Sequence, residues 1–244
     1  MSIATEIERL QQAKTDIKTA IENKGVNVGN GTIDTFAEKI GEISAGGGEN
    51  YLLYANSVQF ANPNLFNKKV VTLDLPMATD YTKMFAVSVQ NTTIEHLIVN
   101  GRTDGTITNA TSAFEAATTS PNLKRLTLNC DFSKSTSMAY FISRWSQLEI
   151  VDGIPIDFSG TTTGIQTLNL AKLVEMRIAP VSIKAKIGFY YSPNLSDETI
   201  QSIIDGLADL TGQTAQTITL HADVKSKLTD TQLTTITSKN WNLA

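Results

Sequence analysis

One short strand pattern recurs along most of this chain. Its clearest copy, residues 123–129, reads LKRLTLN, with apolar Leu126 and Leu128 on one side and polar Arg125 and Thr127 on the other. This period of two is typical of a β-strand buried on one face. Copies begin at Val70, Ile94, Leu123, Leu148 and Leu173. They stand 24, 29, 25 and 25 residues apart, and because one short strand cannot bury its own apolar face, this period predicts a solenoid of stacked copies.

Aromatic residues follow the same period. Phe85 and Phe114 each lie nine residues before the next copy, and Tyr140 and Phe141 hold a similar place before Leu148. We interpret these rings as core that fills the convex side of each coil. A second strand, Ile165 to Leu170, is expected on the far side of one coil. The alternative fold is a β-sandwich whose strands are similar by coincidence.

The pattern L-x-x-L-x-L-x-x-N resembles the leucine-rich repeat over about residues 58–192. Two departures are visible. Asn129 follows Leu128 directly, where the family has two residues between, and Gly153 stands where the copy at Leu148 should have its last leucine. The resemblance implies that residues 51–192 form a repeat body whose strands line a concave face.

A different period opens the chain. Residues 3 to 24 predict a helix in which one side recurs in steps of 4, 3, 4, 3 and 4, the seam of a coiled coil. The seam consists of Ile3, Ile7, Leu10, Lys14, Ile17 and Ile21. Three heptads are marginal alone, so this helix is expected to associate with copies of itself, as a trimer, or with a second helix.

Residues 32 to 43 predict that second helix, and the three glycines that begin at Gly46 then interrupt the pattern. We therefore expect a helical attachment and oligomerisation module at residues 1–45 and a glycine-rich linker at 46–50. A hairpin folded back on the repeats as an N-terminal cap is the alternative.

Residues 193–244 predict an α/β C-terminal cap. Ser196 is suited to begin a helix that Thr211 and Gly212 end, and Thr229 with Gln232 forms a capping box for another helix. The buried stripe of the first helix is expected to be Ile200, Ile203, Ile204, Leu207 and Leu210. Short strands are predicted at 217–220 and 241–244. The sequence thus predicts an α+β chain with a coiled-coil-like module, a leucine-rich-repeat-like β-solenoid and this cap.

Two segments resemble a narrower group of proteins. Residues 13–43, AKTDIKTAIENKGVNVGNGTIDTFAEKIGEI, look like the N-terminal segment of tail and minor structural proteins of phages and prophages of Gram-positive bacteria. Residues 192–244 are similar to the C-terminal cap of leucine-rich-repeat proteins from the same phage neighbourhoods. The resemblance implies a virion protein, an appendage of the tail, baseplate or head, with no catalytic set to carry over.

The charge pattern argues against several kinds of partner. The chain has 20 basic and 24 acidic residues, a net charge of −4, and no run of Lys and Arg, which disfavours nucleic acid and anionic membrane surfaces. No stretch of about 18 apolar residues occurs, so no membrane insertion is expected. Charges at residues 6, 8 and 9 interrupt any signal peptide. We therefore expect no export by the usual signal, and together with the resemblance to phage proteins this implies synthesis in the host cytoplasm and assembly into a virion.

Residues for catalysis are scarce. His96 and His221 are the only histidines and Cys130 the only cysteine, which excludes the usual zinc constellations. Cys130 is interpreted as a small buried hydrophobe. No enzyme activity, cofactor, metal or catalytic residue is predicted. The hydrolase alternative, a cell-wall polysaccharide hydrolase, would need an acidic dyad across a cleft. Its candidate pairs are Asp104 with Glu115 and Asp152 with Asp157.

Surface recognition is the remaining function. Side chains between the inward positions of the repeated strands should stack on the concave face. They are Thr72, Asp74, His96, Ile98, Arg125, Thr127, Ile150, Asp152, Glu175 and Arg177. This mixed surface suits a host-surface glycan or protein, or another virion protein. The alternative is a polar face that is merely solvated. Tyr190 and Tyr191 could stack on sugar rings, whereas Trp145 is expected to be packed. The alternative is a bacterial leucine-rich-repeat module that binds protein outside any virion.

Overall fold

A computed structural model gives the fold of the chain. It describes residues 3–22, 32, 36, 48–53, 69–84, 93–115, 122–166 and 170–244. The chain divides into two compact units, Met1–Glu49 and Asn50–Ala244. The predicted helix at 32 to 43 lies outside the described residues apart from Thr32 and Phe36, and so does Phe85.

The first unit contains helix α1 (Ile3–Glu22), which confirms the predicted helix. Polar side chains of the helix bond to one another: Arg9 forms an ion pair with Glu6 at 2.6 Å, and the Gln12 amide donates to Asp16 at 2.8 Å. Four seam residues are exposed: Ile3 by 83%, Ile7 by 50%, Leu10 by 54% and Ile17 by 39%. Lys14 is exposed as well, and the side chain of Ile21 lies outside the description. Four residues of the predicted apolar stripe are thus exposed on α1. Among the described residues, none of the helices combines the length and apolarity needed to cross a membrane.

The second unit is a mixed α/β structure with mostly parallel strands and few helices. Its strands are β1 (Gly48–Leu52), β2 (Val70–Asp74), β3 (His96–Asn100), β4 (Phe114–Glu115), β5 (Arg125–Asn129), β6 (Ile142–Ser143), β7 (Ile150–Ile156), β8 (Ile165–Gln166), β9 (Glu175–Ile178), β10 (Ile187–Phe189), β11 (Gln216–Leu220) and β12 (Trp241–Leu243). Its helices are α2 (Asp197–Gly206), α3 (Ala222–Lys225) and α4 (Asp230–Ser238). β1 begins at the boundary between the two units.

The repeated pattern forms one sheet. Its strand order is β1-β2-β3-β5-β7-β9, and the pairs from β2 onward are parallel. Equivalent residues lie side by side, and the row of buried partners consists of Val71, Leu97, Leu126, Val151 and Met176. The pattern therefore correctly predicts both the strands and the face that they bury.

A second parallel sheet has the order β12-β11-β10-β8. Ile165, Ile187, Ile218 and Leu243 are paired across it, and the first three are fully buried. β8 confirms a strand at the start of the predicted segment Ile165 to Leu170. β10 was not predicted. β4 and β6 form a separate two-stranded sheet.

Turns between the strands also repeat. The side chains of Asp80 and Asn109 each accept hydrogen bonds from the backbone and hydroxyl of a threonine two residues later, Thr82 and Thr111. An isolated parallel β-bridge joins Asp80 and Asn109. Left-handed backbone follows each turn, with φ of 53° at Lys83 and 54° at Ser112. These Asx turns fix how the chain leaves each copy.

Two of the predicted core aromatics, Phe114 and Phe141, are buried as expected, whereas Tyr140 is only half-buried. Phe114 and Phe141 meet edge to face at 5.3 Å, and Phe141 meets Phe132 at 4.9 Å. Trp145 is buried and donates its ring N–H to the Phe114 carbonyl at 2.5 Å. Cys130 is buried too, and burial raises the pKa of its thiol to about 12, which makes it the inert hydrophobe that was expected.

Gly153 explains the irregular copy at Leu148. It pairs with Leu128, has a φ of 98°, and approaches Leu128 so closely that a Cβ would lie against the Leu128 carbonyl oxygen. No leucine fits there. The register shifts between Val151 and Ile156, so β7 is longer than the other copies.

α2 covers the outer edge of β9. The Met176 N–H donates to the Thr199 hydroxyl at 3.0 Å, and the Ile178 N–H donates to the Ser202 hydroxyl at 2.9 Å. Thr199 in turn donates to the Val174 carbonyl at 2.9 Å. Helix side chains thus satisfy the backbone groups that a further strand would otherwise bond.

The cap is largely as predicted, with one correction. Ser196 caps α2, and Thr229 with Gln232 forms the capping box of α4. α2 ends at Gly206, five residues before Thr211, because Leu207 adopts extended backbone with a ψ of 123°. Gly206 packs against Ile178, where a Cβ would lie 2.8 Å from the side chain. The predicted stripe of α2, including Leu207 and Leu210 beyond its end, is nevertheless buried.

Replacing Thr199 with valine should destabilise the second unit. The change keeps the shape of the side chain but leaves the Met176 N–H and the Val174 carbonyl without their hydroxyl partner. Because Thr199 is 2% exposed, we expect the free energy of unfolding in urea to fall by about 1–3 kcal/mol. Thr234→Val, at an exposed position of α4, is the matched control and should change it by less than about 0.5 kcal/mol. Equal effects of the two changes would contradict the edge-covering role.

Candidate functional site

The outward side chains of the first sheet form three rows. The first consists of Val70, His96, Arg125, Ile150 and Glu175. The second consists of Thr72, Ile98, Thr127 and Asp152. The third consists of Asp74, Asn100 and Asn129. With Arg177, which shares the outward face of β9, we call these residues the ladder.

The structure brings the ten predicted recognition residues onto this one face. It also adds three that the sequence analysis missed: Val70, Asn100 and Asn129. Asn100 and Asn129 follow the last inward residue of β3 and β5, so the strand alternation extended by one position would have identified both.

A chain of hydrogen bonds crosses three strands in the ladder. The Thr127 hydroxyl donates to Asp152 at 2.5 Å, and Arg125 forms an ion pair with the same carboxylate. His96 Nε2 lies 2.9 Å from the Thr127 oxygen. Because the only hydrogen of the hydroxyl is donated to Asp152, His96 must donate from Nε2. All four side chains are thereby held in fixed orientations.

An amide row lies beside this chain. The Asn129 amide donates to Asn100 at 2.8 Å, and the Asn100 amide donates to Asp74 at 2.7 Å. Asn100 thus accepts from Asn129 with its oxygen and donates to Asp74 with its nitrogen. Because a carboxylate can only accept, Asp74 determines that both amides donate toward β2.

The surroundings shift two pKa values in the ladder. Partial burial, followed by the charge of Arg125, lowers the pKa of His96 despite the nearby Asp152. Partial burial acts to raise the pKa of Asp152, but hydrogen bonds from Thr127 and Arg125 outweigh it and hold the pKa below its usual value. At neutral pH the ladder therefore contains a neutral histidine and an ionised Arg125–Asp152 pair.

Alternating charges border the ladder where its strands begin. Glu95 lies 2.8 Å from Lys69 and 3.1 Å from Lys124, and hydrogen bonds from these two lysines lower the pKa of its carboxyl. Backbone hydrogen bonds link each residue of this row to the next: Glu95 donates to Lys69, Lys124 to Glu95, and Glu149, which precedes β7, to Lys124. This border carries both signs, so it adds little net field to the surface.

A groove of about 760 Å³ opens at the β9 end of the ladder. β7, β9 and α2 line it, and Asp152, Glu175, Arg177 and Glu198 contribute its charged groups. Gly153 and Pro155, in the irregular part of β7, also line the groove. The groove provides the ladder with a concave end where a partner side chain or sugar can be enclosed.

The other candidate residues lie elsewhere. Trp145 is packed in the core, while Tyr190 and Tyr191 are exposed beside the second sheet. Asp104 forms an ion pair with Arg102, whose hydrogen bond holds the Asp104 pKa well below its usual range, and Glu115 lies 3.5 Å from Arg144. Asp157 accepts a bond from the Ser159 N–H at 2.7 Å. Within the described ranges, no group of three His, Cys, Asp or Glu side chains is placed to hold a metal ion.

His96 should make stability depend on pH. Its lowered pKa means that the unfolded chain takes up a proton at a higher pH than the folded chain does. The stability it contributes is therefore full above its unfolded pKa of about 6.5 and is lost as the pH falls through the lower folded value. We expect His96→Gln to reduce the loss of unfolding free energy between pH 7 and pH 5 in urea titrations.

The control is Thr234→Gln, because Thr234 is exposed on α4, lies outside the ladder and has no titratable group. It should retain the slope of the unmodified protein. A slope that is the same in His96→Gln and in the unmodified chain would contradict a neutral, desolvated His96.

The ladder and its groove together form the most extensive array of fixed polar groups described above. Donors, acceptors and charges are held in register by the sheet and by one another, which suits recognition of a complementary surface. No protein-family model, curated protein or solved structure matches the chain.

Proposed function

We propose that this chain is a non-enzymatic structural protein of a virion, an appendage of the tail, baseplate or head. Its N-terminal helices anchor it, and its body presents the ladder to the host surface or to another virion protein. The observation that carries this proposal is the ladder itself. Its side chains lie in register across five strands, and seven of them, on β2, β3, β5 and β7, bond to one another, which suits a rigid recognition surface.

The body is a leucine-rich-repeat-like solenoid in this proposal. Support comes from the recurrence of the same parallel register between β2, β3, β5 and β7. The repeated Asx turns at Asp80 and Asn109 and the parallel pair β4–β6 lie between those strands in the chain. Such recurrence at every segment of a repeat is typical of solenoids, whose strands define an extended binding face.

The anchor is a trimeric coiled coil of α1 in this proposal. Support comes from the heptad spacing and from the exposure of Ile3, Ile7, Leu10 and Ile17. Burial of each such side chain stabilises an assembly by about 1.5–3 kcal/mol. Lys14 on the same stripe would fix the register of the copies, a role that single polar seam residues perform in coiled coils.

Recognition without catalysis fits the charges of the ladder. A general acid for glycoside hydrolysis needs a carboxyl whose pKa is raised toward the working pH. The carboxyls of Asp104 and Asp152 have lowered pKa values. A hydrogen bond from Arg102 keeps Asp104 ionised, and hydrogen bonds from Thr127 and Arg125 keep Asp152 ionised, which suits fixed charges on a binding surface.

The anchor predicts a defined oligomer. Light scattering of the full chain should give the mass of three copies, and Leu10→Glu should give the mass of one, because it places a charge at the centre of the exposed stripe. Gln12→Glu adds the same charge two residues away, off the stripe, and should leave the trimer intact. A mass of one copy for the unmodified chain would contradict the proposed trimeric anchor.

The virion role predicts a location. Particles purified from a producing host should contain this chain by mass spectrometry, and antibodies against it should label one defined structure in electron micrographs. Particles that lack the chain would overturn the proposal.

A ladder variant then separates the two kinds of partner. Particles that carry Ile98→Arg, a bulky charge in the middle of the second row, should adsorb to host cells at least tenfold less if the ladder faces the host. They should fail to assemble if it contacts another virion protein. Leu233→Arg, at an exposed position of α4, is the control. Normal assembly and adsorption of the Ile98→Arg particles would exclude the ladder as the binding surface.

A further inference from the structure

A second groove, separate from the ladder, lies on the outward face of the second sheet. Its volume is about 400 Å³, within the range of about 300–1,000 Å³ found for small-ligand sites. Gly188 of β10 forms part of its lining and pairs with Gln166 on one side and Thr219 on the other. Tyr190 and Tyr191 stand just beyond the end of β10.

The two tyrosines form a corner of exposed aromatic surface. Their ring centroids are 4.9 Å apart and their planes meet at 87°, with Tyr190 57% and Tyr191 44% exposed. The centroid of the His221 ring lies 6.3 Å from that of Tyr190. Aromatic rings have a flat apolar face and, in tyrosine, a polar tip, and here two exposed rings in edge-to-face contact line one groove.

The glycine in this groove is not required by the packing of the described residues around it. Among those residues, a Cβ at Gly188 would have only the Thr219 Cβ within 4 Å, at 3.8 Å, which is ordinary contact. By contrast, a Cβ at Gly153 or Gly206 would collide with its neighbours. Glycine weakens the middle of a strand, and a glycine there is typical of places where a ligand or another backbone approaches closely.

Lys186 gives the groove a positive charge. A Cβ at Gly164 would lie 2.6 Å from the Lys186 Cγ, so the absence of a side chain there lets the lysine stem lie along the backbone. Polar groups at the groove come from Gln166, Thr217 and Thr219. No acidic side chain is among the described residues that line it.

We propose that this groove binds a saccharide, with a preference for one that carries an acidic group. The apolar C–H face of a sugar ring would pack on the corner formed by Tyr190 and Tyr191, above Gly188, which has no side chain. Its hydroxyls would bond to the Gln166 amide and the Thr219 hydroxyl, and its carboxylate or phosphate would pair with Lys186. The proposal does not depend on the ladder or on a virion role.

A microarray of oligosaccharides with neutral hexoses, N-acetylhexosamines, uronic acids and phosphorylated sugars tests this proposal, with the full chain as the probe. We expect binding to at least one class, and a loss of at least tenfold in Tyr190→Ala and in Gly188→Val. The valine suits a strand and meets no clash at Cβ, so the variant should fold while its side chain fills the groove. Thermal unfolding of both variants checks this.

The matched control is Asn242→Ala, an exposed change at the residue that pairs with Thr217 in the same sheet but does not line the groove. It should bind as the unmodified chain does. Absence of binding to every class, or binding that survives both Tyr190→Ala and Gly188→Val, would overturn the proposal.

Lys186→Gln tests the charge preference. It should weaken binding of uronic acid or phosphorylated sugars at least fivefold while neutral sugars bind as before. Equal weakening of acidic and neutral sugars would show that Lys186 does not pair with an acidic group.

Discussion

The parallel register between successive copies of one short strand is the constraint on which the second unit depends. Each strand has backbone donors and acceptors on both edges and apolar side chains on one face. The neighbouring copy bonds to those backbone groups and extends the same apolar row. Val71, Leu97, Leu126 and Val151 lie side by side for this reason. A slip of one residue would turn that row toward water and the polar row into the core, so register and burial enforce one another.

Much of this architecture could be predicted from the sequence, because it follows from local rules. Alternation in LKRLTLN identifies a strand and its inward face, and Ser196 and Thr229 identify helix starts through bonds that span three residues. β10 could not be found this way, since a three-residue strand with Gly188 at its centre carries almost no period. The end of α2 was also misplaced, because Leu207 and Leu210 continue the buried stripe after the backbone has left the helix.

The residues that make up the ladder could be predicted from the sequence, but the bonds between them could not. Alternation alone assigned His96, Thr127 and Asp152 to one face. Their bonds join residues 25 to 31 positions apart, and they exist only because the copies align without offset. The second groove was hidden for a related reason: Gln166, Gly188 and Thr219 meet only when three distant short strands pair. The two surfaces differ physically, since ladder groups are bonded to each other, whereas the groove combines exposed aromatic faces with bare backbone.

The covering of β9 by helix hydroxyls makes the closure of the sheet edge independent of the side chains on its last strand. Thr199 and Ser202 bond to the backbone N–H groups of Met176 and Ile178, which every residue type except proline carries. These bonds therefore place no demand on the side chains of β9. Residues on the outward face of that strand can change while the edge of the sheet stays covered.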